Sequence, residues 1–260
     1  MNDTLDKVAV ITGAGSGLGA ATARRFHREG WRLVLGDLRP EGVQALAQEL
    51  GATALACDVA DERQVEALVQ AALDRHGRLD CMINNAGILG AIGPIGTTAA
   101  RDFNRVLEVM VSGVFHGTKH AANAMGDQGG VILNTASLAG VGAWANHSYT
   151  AAKHAVVGLT RSSAVELAPR AIRVNALAPG NVVTGMTSSL SGGEQAAYDR
   201  ALARNPIPYV CTAEDIADAF AYLAGPSARG ITGQVLVIDS GLDVAVVPPA
   251  YHQAPGRFVE

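Results

Sequence analysis

"KVAVITGAGSGLGAATARRF", residues 7–26, is the stretch from which the fold is read. Lys7-Val8-Ala9-Val10-Ile11 is a short apolar run rich in β-branched side chains, the pattern of a strand buried on both faces. The glycines follow at its end, with Gly13, Gly17 and Gly19 spaced as in TGxxxGxG. Ala20, Ala21, Ala23 and Phe26 then have helical composition and spacing. A strand, a glycine turn and a helix bring backbone N–H groups and a helix N-terminus to a pyrophosphate. The competing reading is a turn in which the glycines only let the chain bend.

The next apolar run, Trp31 to Asp37, ends in a carboxylate 18 residues after Gly19. An acidic residue at the end of a second strand accepts both hydroxyls of an adenosine ribose and repels a 2′-phosphate. The pair of features predicts a dinucleotide, and NAD over NADP. Arg39 stands on the other side, close enough to tolerate a phosphate, and Asp37 has a plainer reading as a turn or helix-capping residue.

The 260 residues, 48% hydrophobic and 17% charged, suit one large α/β domain over residues 1–260. A net charge of -4 without clustered Lys and Arg speaks against a nucleic-acid partner. Cys57, Cys81 and Cys211 form no CxxC and cannot all pair within one chain, which fits a reduced, cytoplasmic protein. No signal-peptide pattern opens the sequence, and no run of eighteen apolar residues suggests a membrane span.

Strand-like runs at 7–11, 31–37, 53–57, 80–84, 130–135, 172–178 and 234–239 alternate with helical patterns. Seven strands joined by helical crossovers predict a doubly wound Rossmann fold: a parallel sheet with helices on both faces and ligands at the C-terminal strand ends. Residues 185–212 are longer than an ordinary strand-to-helix connection and read as a substrate lid. The tail 242–260 carries Pro248, Pro249 and Pro255 and shows no helical pattern, so disorder and packing on a partner subunit both remain open for it.

Tyr149-Thr150-Ala151-Ala152-Lys153 begins a stretch that reads as a helix through Leu167. Residues four apart share one helix face. A phenol with an ordinary pKa of about 10 is a poor base near neutrality, and a nearby ammonium favours the phenolate. Taken alone, such a pair also fits a surface tyrosine packed on a lysine stem. Twelve residues before Tyr149, at the end of a strand, the chain reads Asn134-Thr135-Ala136-Ser137. Ser137 then falls at the ligand end of the sheet, where its hydroxyl can meet a substrate oxygen or, more plainly, cap a turn.

With these residues assembled, the chain resembles the short-chain dehydrogenase/reductase family, in its branch of about 250 residues, from Lys7 to Gly241. The matching motifs are Thr12-Gly13-Ala14-Gly15-Ser16-Gly17-Leu18-Gly19, Asp58-Val59, Asn84-Asn85-Ala86-Gly87, Ser137, Tyr149 with Lys153, and Pro179-Gly180 followed by Thr184. Within the family, "KHAANAM" and "SYTAAKHAVVGLT" are similar to alcohol dehydrogenases acting on terpenoid, steroid-like or lignan secondary alcohols.

The resemblance implies an NAD-dependent secondary-alcohol dehydrogenase. Tyr149 would be the base in oxidation and the acid in reduction, Lys153 would hold the nicotinamide ribose and lower the tyrosine pKa, and Ser137 would orient the substrate oxygen. Cofactor contacts would come from Gly13, Ser16, Gly17, Leu18 and Gly19, from Asp37, from Asp58 and Val59 at the adenine, from Asn85, Ala86 and Gly87, and from Tyr149 and Lys153 themselves. Pro179, Gly180, Val182 and Thr184 would flank the nicotinamide, and no metal is required. A homotetramer is the family expectation, with Ala121, Ala122, Ala155, Gly158 and Ala164 permitting close helix contacts.

One position departs from the family pattern, which has asparagine where this chain has Met110. That asparagine helps hold a water linked to the lysine, and a thioether cannot replace an amide. Three readings follow: the backbone carbonyl at 110 suffices and activity survives, turnover is slow, or the chain binds NAD without chemistry.

Ile88, Leu138, Trp144 and Met186, with Leu89, Ile92 and Val141, are the expected pocket residues, and their apolar character predicts a neutral, hydrophobic, cyclic or secondary alcohol and its ketone. An NADPH-dependent ketoreductase is the rival within the family. Asn146 and His147 read either as a polar substrate contact or as solvated loop. His116 and His120, four apart, lack a third ligand at metal-binding spacing.

Overall fold

The computed structural model describes residues 6–185, 187–188 and 192–245. Seven strands, β1 (Val8–Thr12), β2 (Arg32–Asp37), β3 (Thr53–Ala56), β4 (Cys81–Asn84), β5 (Gly130–Thr135), β6 (Ile172–Pro179) and β7 (Val235–Ile238), form one parallel sheet in the order β3-β2-β1-β4-β5-β6-β7. The expected strands are all present, with β5 as expected and the ends of the others moved by at most one residue. Thr12 joins β1 and pairs with Gly36, while Trp31 stays outside β2 and packs on Phe26 with ring centroids 5.0 Å apart.

Side chains alternate faces along each strand, and both faces of β1 are buried. Ala9 and Ile11 join the core under α1 (Gly17–Arg28), α2 (Pro40–Leu50) and α8 (Ala213–Ala224), whereas Val8 and Val10 join the core under α3 (Glu62–His76), α5 (Gly113–Met125) and α6 (His147–Leu167). Two further helices, α4 (Ala100–Leu107) and α7 (Glu194–Leu202), lie in the connections after β4 and β6. The order reverses between β1 and β4, and a crevice opens there at the C-terminal strand ends.

Local chemistry sets the helix ends. Asp61 caps α3 by accepting the Arg63 N–H, and Thr212 and Asp215 form a reciprocal capping box on α8. A buried polar chain ties α6 to the sheet: Asn84 Nδ2 donates to Asn134 Oδ1 at 2.9 Å, and Asn134 Nδ2 donates to Thr160 Oγ1 at 2.9 Å. Ala121, Ala122 and Ala164, expected at a subunit contact, are instead spent inside the chain against the sheet, because they lie on the inward stripes of α5 and α6. Among the described residues no helix is long and apolar enough to cross a membrane.

Candidate active site

The glycine turn is held mostly by bonds in which at least one partner is backbone. Thr12 Oγ1 accepts the N–H groups of Asn85 (3.0 Å) and Ala86 (3.2 Å), while Asn85 Nδ2 donates to the carbonyls of Thr12 and Gly13, each at 3.1 Å. Gly13 has φ +64°, and a Cβ there would stand 2.7 Å from Ala86 Cα, so glycine is required for both conformation and space. Ser16 opens α1 without a side-chain cap bond, and no acidic residue lies in the first turn. The free N–H groups and the positive end of the helix therefore suit an anion such as a pyrophosphate.

From this turn a cleft of about 900 Å³ runs across the strand ends. Its walls include Gly13, Ser16, Gly17, Leu18, Asp37, Asp58, Val59, Asn85, Ala86, Gly87 and Ile88, together with Ser137, Tyr149, Lys153, Pro179, Gly180, Val182 and Thr184. The structure thus brings most of the expected site residues into one space. Four stand apart. Gly19 is buried where α1 crosses the Gly13 carbonyl, a packing role. Leu138 is buried behind Gly180, Trp144 points away to the C-terminal segment, and Met186 lies outside the described residues.

At the far end of the cleft Asp37 is 8% exposed, and its carboxylate accepts the Gly15 N–H and the Arg39 N–H, each at 2.9 Å. These bonds fix the carboxylate beside the glycine turn. Asp58 pairs with Arg105 at 2.8 Å and accepts the Ala60 N–H. Burial raises the Asp58 pKa, but Arg105 and the Ala60 N–H outweigh burial and leave the carboxyl below its ordinary value. Arg105 was not legible as a site residue, since a single arginine on α4 carries no motif. Cys57 lines the same end, where burial pushes its thiol up to about 12, so it stays protonated and unreactive.

The chemistry-bearing side chains meet at the other end. Ser137 follows β5 and accepts the Ala139 N–H at 3.2 Å, capping the short turn Leu138–Gly140. Tyr149 and Lys153 project from the first turns of α6, with Lys153 Nζ 5.5 Å from the tyrosine ring centroid. Lys153 Nζ donates to the Thr135 carbonyl at 2.6 Å. Burial pulls its pKa down to about 8, and burial pushes the Tyr149 phenol up, offset in part by a hydrogen bond with Ser137.

Asn146, read as a substrate contact or a solvated residue, is the N-cap of α6: its Oδ1 accepts the Tyr149 N–H at 2.9 Å and its Nδ2 donates to the Leu89 carbonyl at 3.1 Å. It joins the loop after β4 to the helix bearing Tyr149. His147 stacks on Phe103, with ring centroids 6.5 Å apart. Met110 is 1% exposed inside a π turn, Glu108–Ser112, and its Sδ faces Gly87 in the cleft wall. Such turns widen a helix locally and recur at functional sites. His116 Nδ1 lies 3.0 Å from the Val59 carbonyl and His120 Nε2 lies 3.1 Å from Glu62, so each is engaged separately. Among the described residues no group of three or more His, Cys, Asp or Glu could hold a metal ion.

Residues 13–243 match a family model described as Enoyl-(Acyl carrier protein) reductase. Borneol dehydrogenase, mitochondrial, of Lavandula x intermedia is 42% identical over 241 residues, covering 92% of this chain and 91% of that protein. Levodione reductase of Leifsonia aquatica is 40% identical over 254 residues, covering 92% and 95%. A crystal structure of levodione reductase superimposes with a TM-score of 0.87 at 39% identity, covering 93% of this chain and 99% of that one. Sheet order, cleft and sequence agree, and the chain belongs to the short-chain dehydrogenase/reductase family, whose members use nicotinamide cofactors.

Proposed function

We propose that the chain interconverts a neutral, hydrophobic, cyclic secondary alcohol and its ketone with NAD. The observation that carries this reading is one continuous cleft with Asp37 at one end and Ser137, Tyr149 and Lys153 at the other. Of the cleft arginines, Arg105 pairs with Asp58 and Arg39 follows Asp37, to which it gives its backbone N–H, while Ile88, Leu89 and Val182 supply apolar wall. That distribution favours an uncharged substrate. Relatives named for borneol and levodione support a cyclic one.

The glycine turn would hold the pyrophosphate, Asp37 the adenosine ribose, Asp58 and Val59 the adenine, and Val182 and Thr184 the nicotinamide. When bound, the cofactor would supply hydride-transfer chemistry between its nicotinamide and the carbinol or carbonyl carbon. Ser137 Oγ orients the substrate oxygen, and Tyr149 takes its proton in oxidation and gives it back in reduction. The Lys153 ammonium, beside the ring and anchored on Thr135, favours the phenolate. Met110 keeps the backbone carbonyl of the asparagine it replaces, which supports retained activity.

The test is NADH formation from NAD over cyclic and linear secondary alcohols, with NADP in parallel. Turnover confined to NADP would favour the ketoreductase reading, for which Arg39 in the cleft wall is the supporting observation. NAD binding without turnover on any alcohol would favour a silent NAD-binding protein, and Met110→Asn should then restore activity. The reading further takes the chain as one domain, a cytoplasmic homotetramer with no nucleic-acid or membrane partner. Exposed Phe115 and Val165 on α5 and α6 support the assembly, which light scattering of the purified protein measures.

A further inference from the structure

Trp144 stands in the loop between Ser137 and Tyr149, outside the cleft and 40% exposed. Its indole N–H donates to Asp243 Oδ1 at 3.0 Å, and the Arg204 guanidinium carbon lies 5.9 Å from its ring centroid. One side chain thus joins three segments: the loop before α6, the residues after α7, and the turn after β7.

The turn that receives the indole is itself fixed. Asp239 is buried, and its two carboxylate oxygens accept the Gly241 N–H at 2.8 Å and the Asp243 N–H at 2.6 Å. Ser240 has φ 58° and Gly241 has φ 87°, and the Ser240 carbonyl accepts the Ile207 N–H at 3.0 Å. A non-glycine residue in the left-handed region persists where its surroundings hold it. The same turn abuts Gly180 in the cleft wall, where a Cβ would meet Asp239 Cβ at 2.6 Å. Arg204 lines a small void of about 60 Å³ with Val182 and Thr187, both of which also line the cleft.

We infer that Trp144 is a positioning residue for the substrate: held by Asp243 and Arg204, it braces the loop between Ser137 and Tyr149 against the turn after β7 and the end of α7. A half-exposed indole gains little from burial in this place, so its location depends on the hydrogen bond to a carboxylate and on the cation over its face. Losing the bond frees the loop whose two ends, Ser137 and Tyr149, line the cleft, and leaves the glycine turn and Asp37 untouched. The inference rests on the dehydrogenase reading for its kinetic part only.

The test compares the full-length wild type with Asp243→Ala, Trp144→Phe, their double variant and Asp243→Asn. With a turned-over cyclic alcohol, Asp243→Ala and Trp144→Phe should each raise its KM about tenfold, leave KM for NAD unchanged, and show no further loss when combined. Asp243→Asn, whose Oδ1 still accepts the indole N–H, should stay near wild type. Acrylamide quenching of tryptophan emission is measured without any ligand. Trp31 is 4% exposed, so added quenching reports Trp144, and it should rise in Asp243→Ala and not in Asp243→Asn. Equal quenching in wild type and Asp243→Ala, or a KM for NAD that rises with that for the alcohol, would overturn the inference. If the wild type turns over no alcohol, the functional reading fails while quenching still decides whether Asp243 holds Trp144.

Discussion

At the glycine-turn end of the cleft, side chains bond to backbone: Asp37 to the Gly15 and Arg39 N–H groups, Asn85 to the Thr12 and Gly13 carbonyls. At the other end Ser137, Lys153 and Asn146 also bond to backbone, but the loop between Ser137 and Tyr149 is tied by side chains to side chains across long stretches of sequence, with Trp144 reaching Asp243 and Arg204. A bond to backbone is indifferent to the partner's identity, so what remains visible in sequence is the glycine spacing that lets the backbone approach. A pair of side chains leaves no spacing rule. Asp58–Arg105 makes the same point in the Asp37 half of the cleft, since Asp58 was singled out in the sequence and its arginine was not.

The comparison breaks first at Tyr149. Tyr149→Phe should lower turnover by about 10³-fold, within the range for a lost acid–base group, with NAD affinity by fluorescence titration unchanged. A parallel fall in NAD affinity would show that the two ends are not separable.

Lys153 serves both ends, and its burial has a pH signature. Its folded pKa of about 8 lies below the ordinary 10.5, so the unfolded chain holds the proton more tightly. The cost is fully present below pH 8 and fades as pH rises toward 10.5. Relative to Lys153→Met, wild-type stability should gain on the order of 3 kcal/mol across that window, measured by urea unfolding at both limits. A flat difference would show that the ammonium is solvated.

Gly13→Ala attacks the backbone-built end alone. With φ +64° and Ala86 Cα in the way, it should cost about 1–3 kcal/mol and weaken NAD binding. Acrylamide quenching of Trp144 should not change. The smallest effect is expected for Asn146→Ala, about 1 kcal/mol for a lost cap, read as a lower Tm with kcat reduced more than KM for NAD. No change in Tm would mean that water replaces the cap on α6.

Most of the fold was legible because it rests on period and punctuation. β5 was bounded to the residue, Gly130–Thr135, since glycine precedes it and an apolar run fills it. Trp31 was misplaced into β2 because a large apolar residue beside a strand looks like part of it, and only Phe26 across the turn reveals where it packs. Within the site, Ser137, Tyr149 and Lys153 were singled out by their spacing and the family resemblance, and all three line the cleft. Asn146 was ambiguous, because capping and substrate contact call for the same polar side chain before a helix. Trp144 was assigned to the pocket on its hydrophobicity, and its N–H bond to Asp243 ties it elsewhere.

The chain of bonds from Asn84 through Asn134 to Thr160 acts as a locating pin for α6. A helix lying on a sheet by apolar contact alone has neighbouring settings of similar quality, each displaced by one residue, a rise of about 1.5 Å and a turn of about 100°. Only one of those settings puts Thr160 on Asn134. Thr160 lies seven residues after Lys153, two turns along nearly the same face, so indexing the helix there indexes Lys153 and Tyr149 as well. The angular and axial tolerance of the Tyr149–Lys153 pair is thereby set about 10 Å away from it, by residues that do not line the cleft.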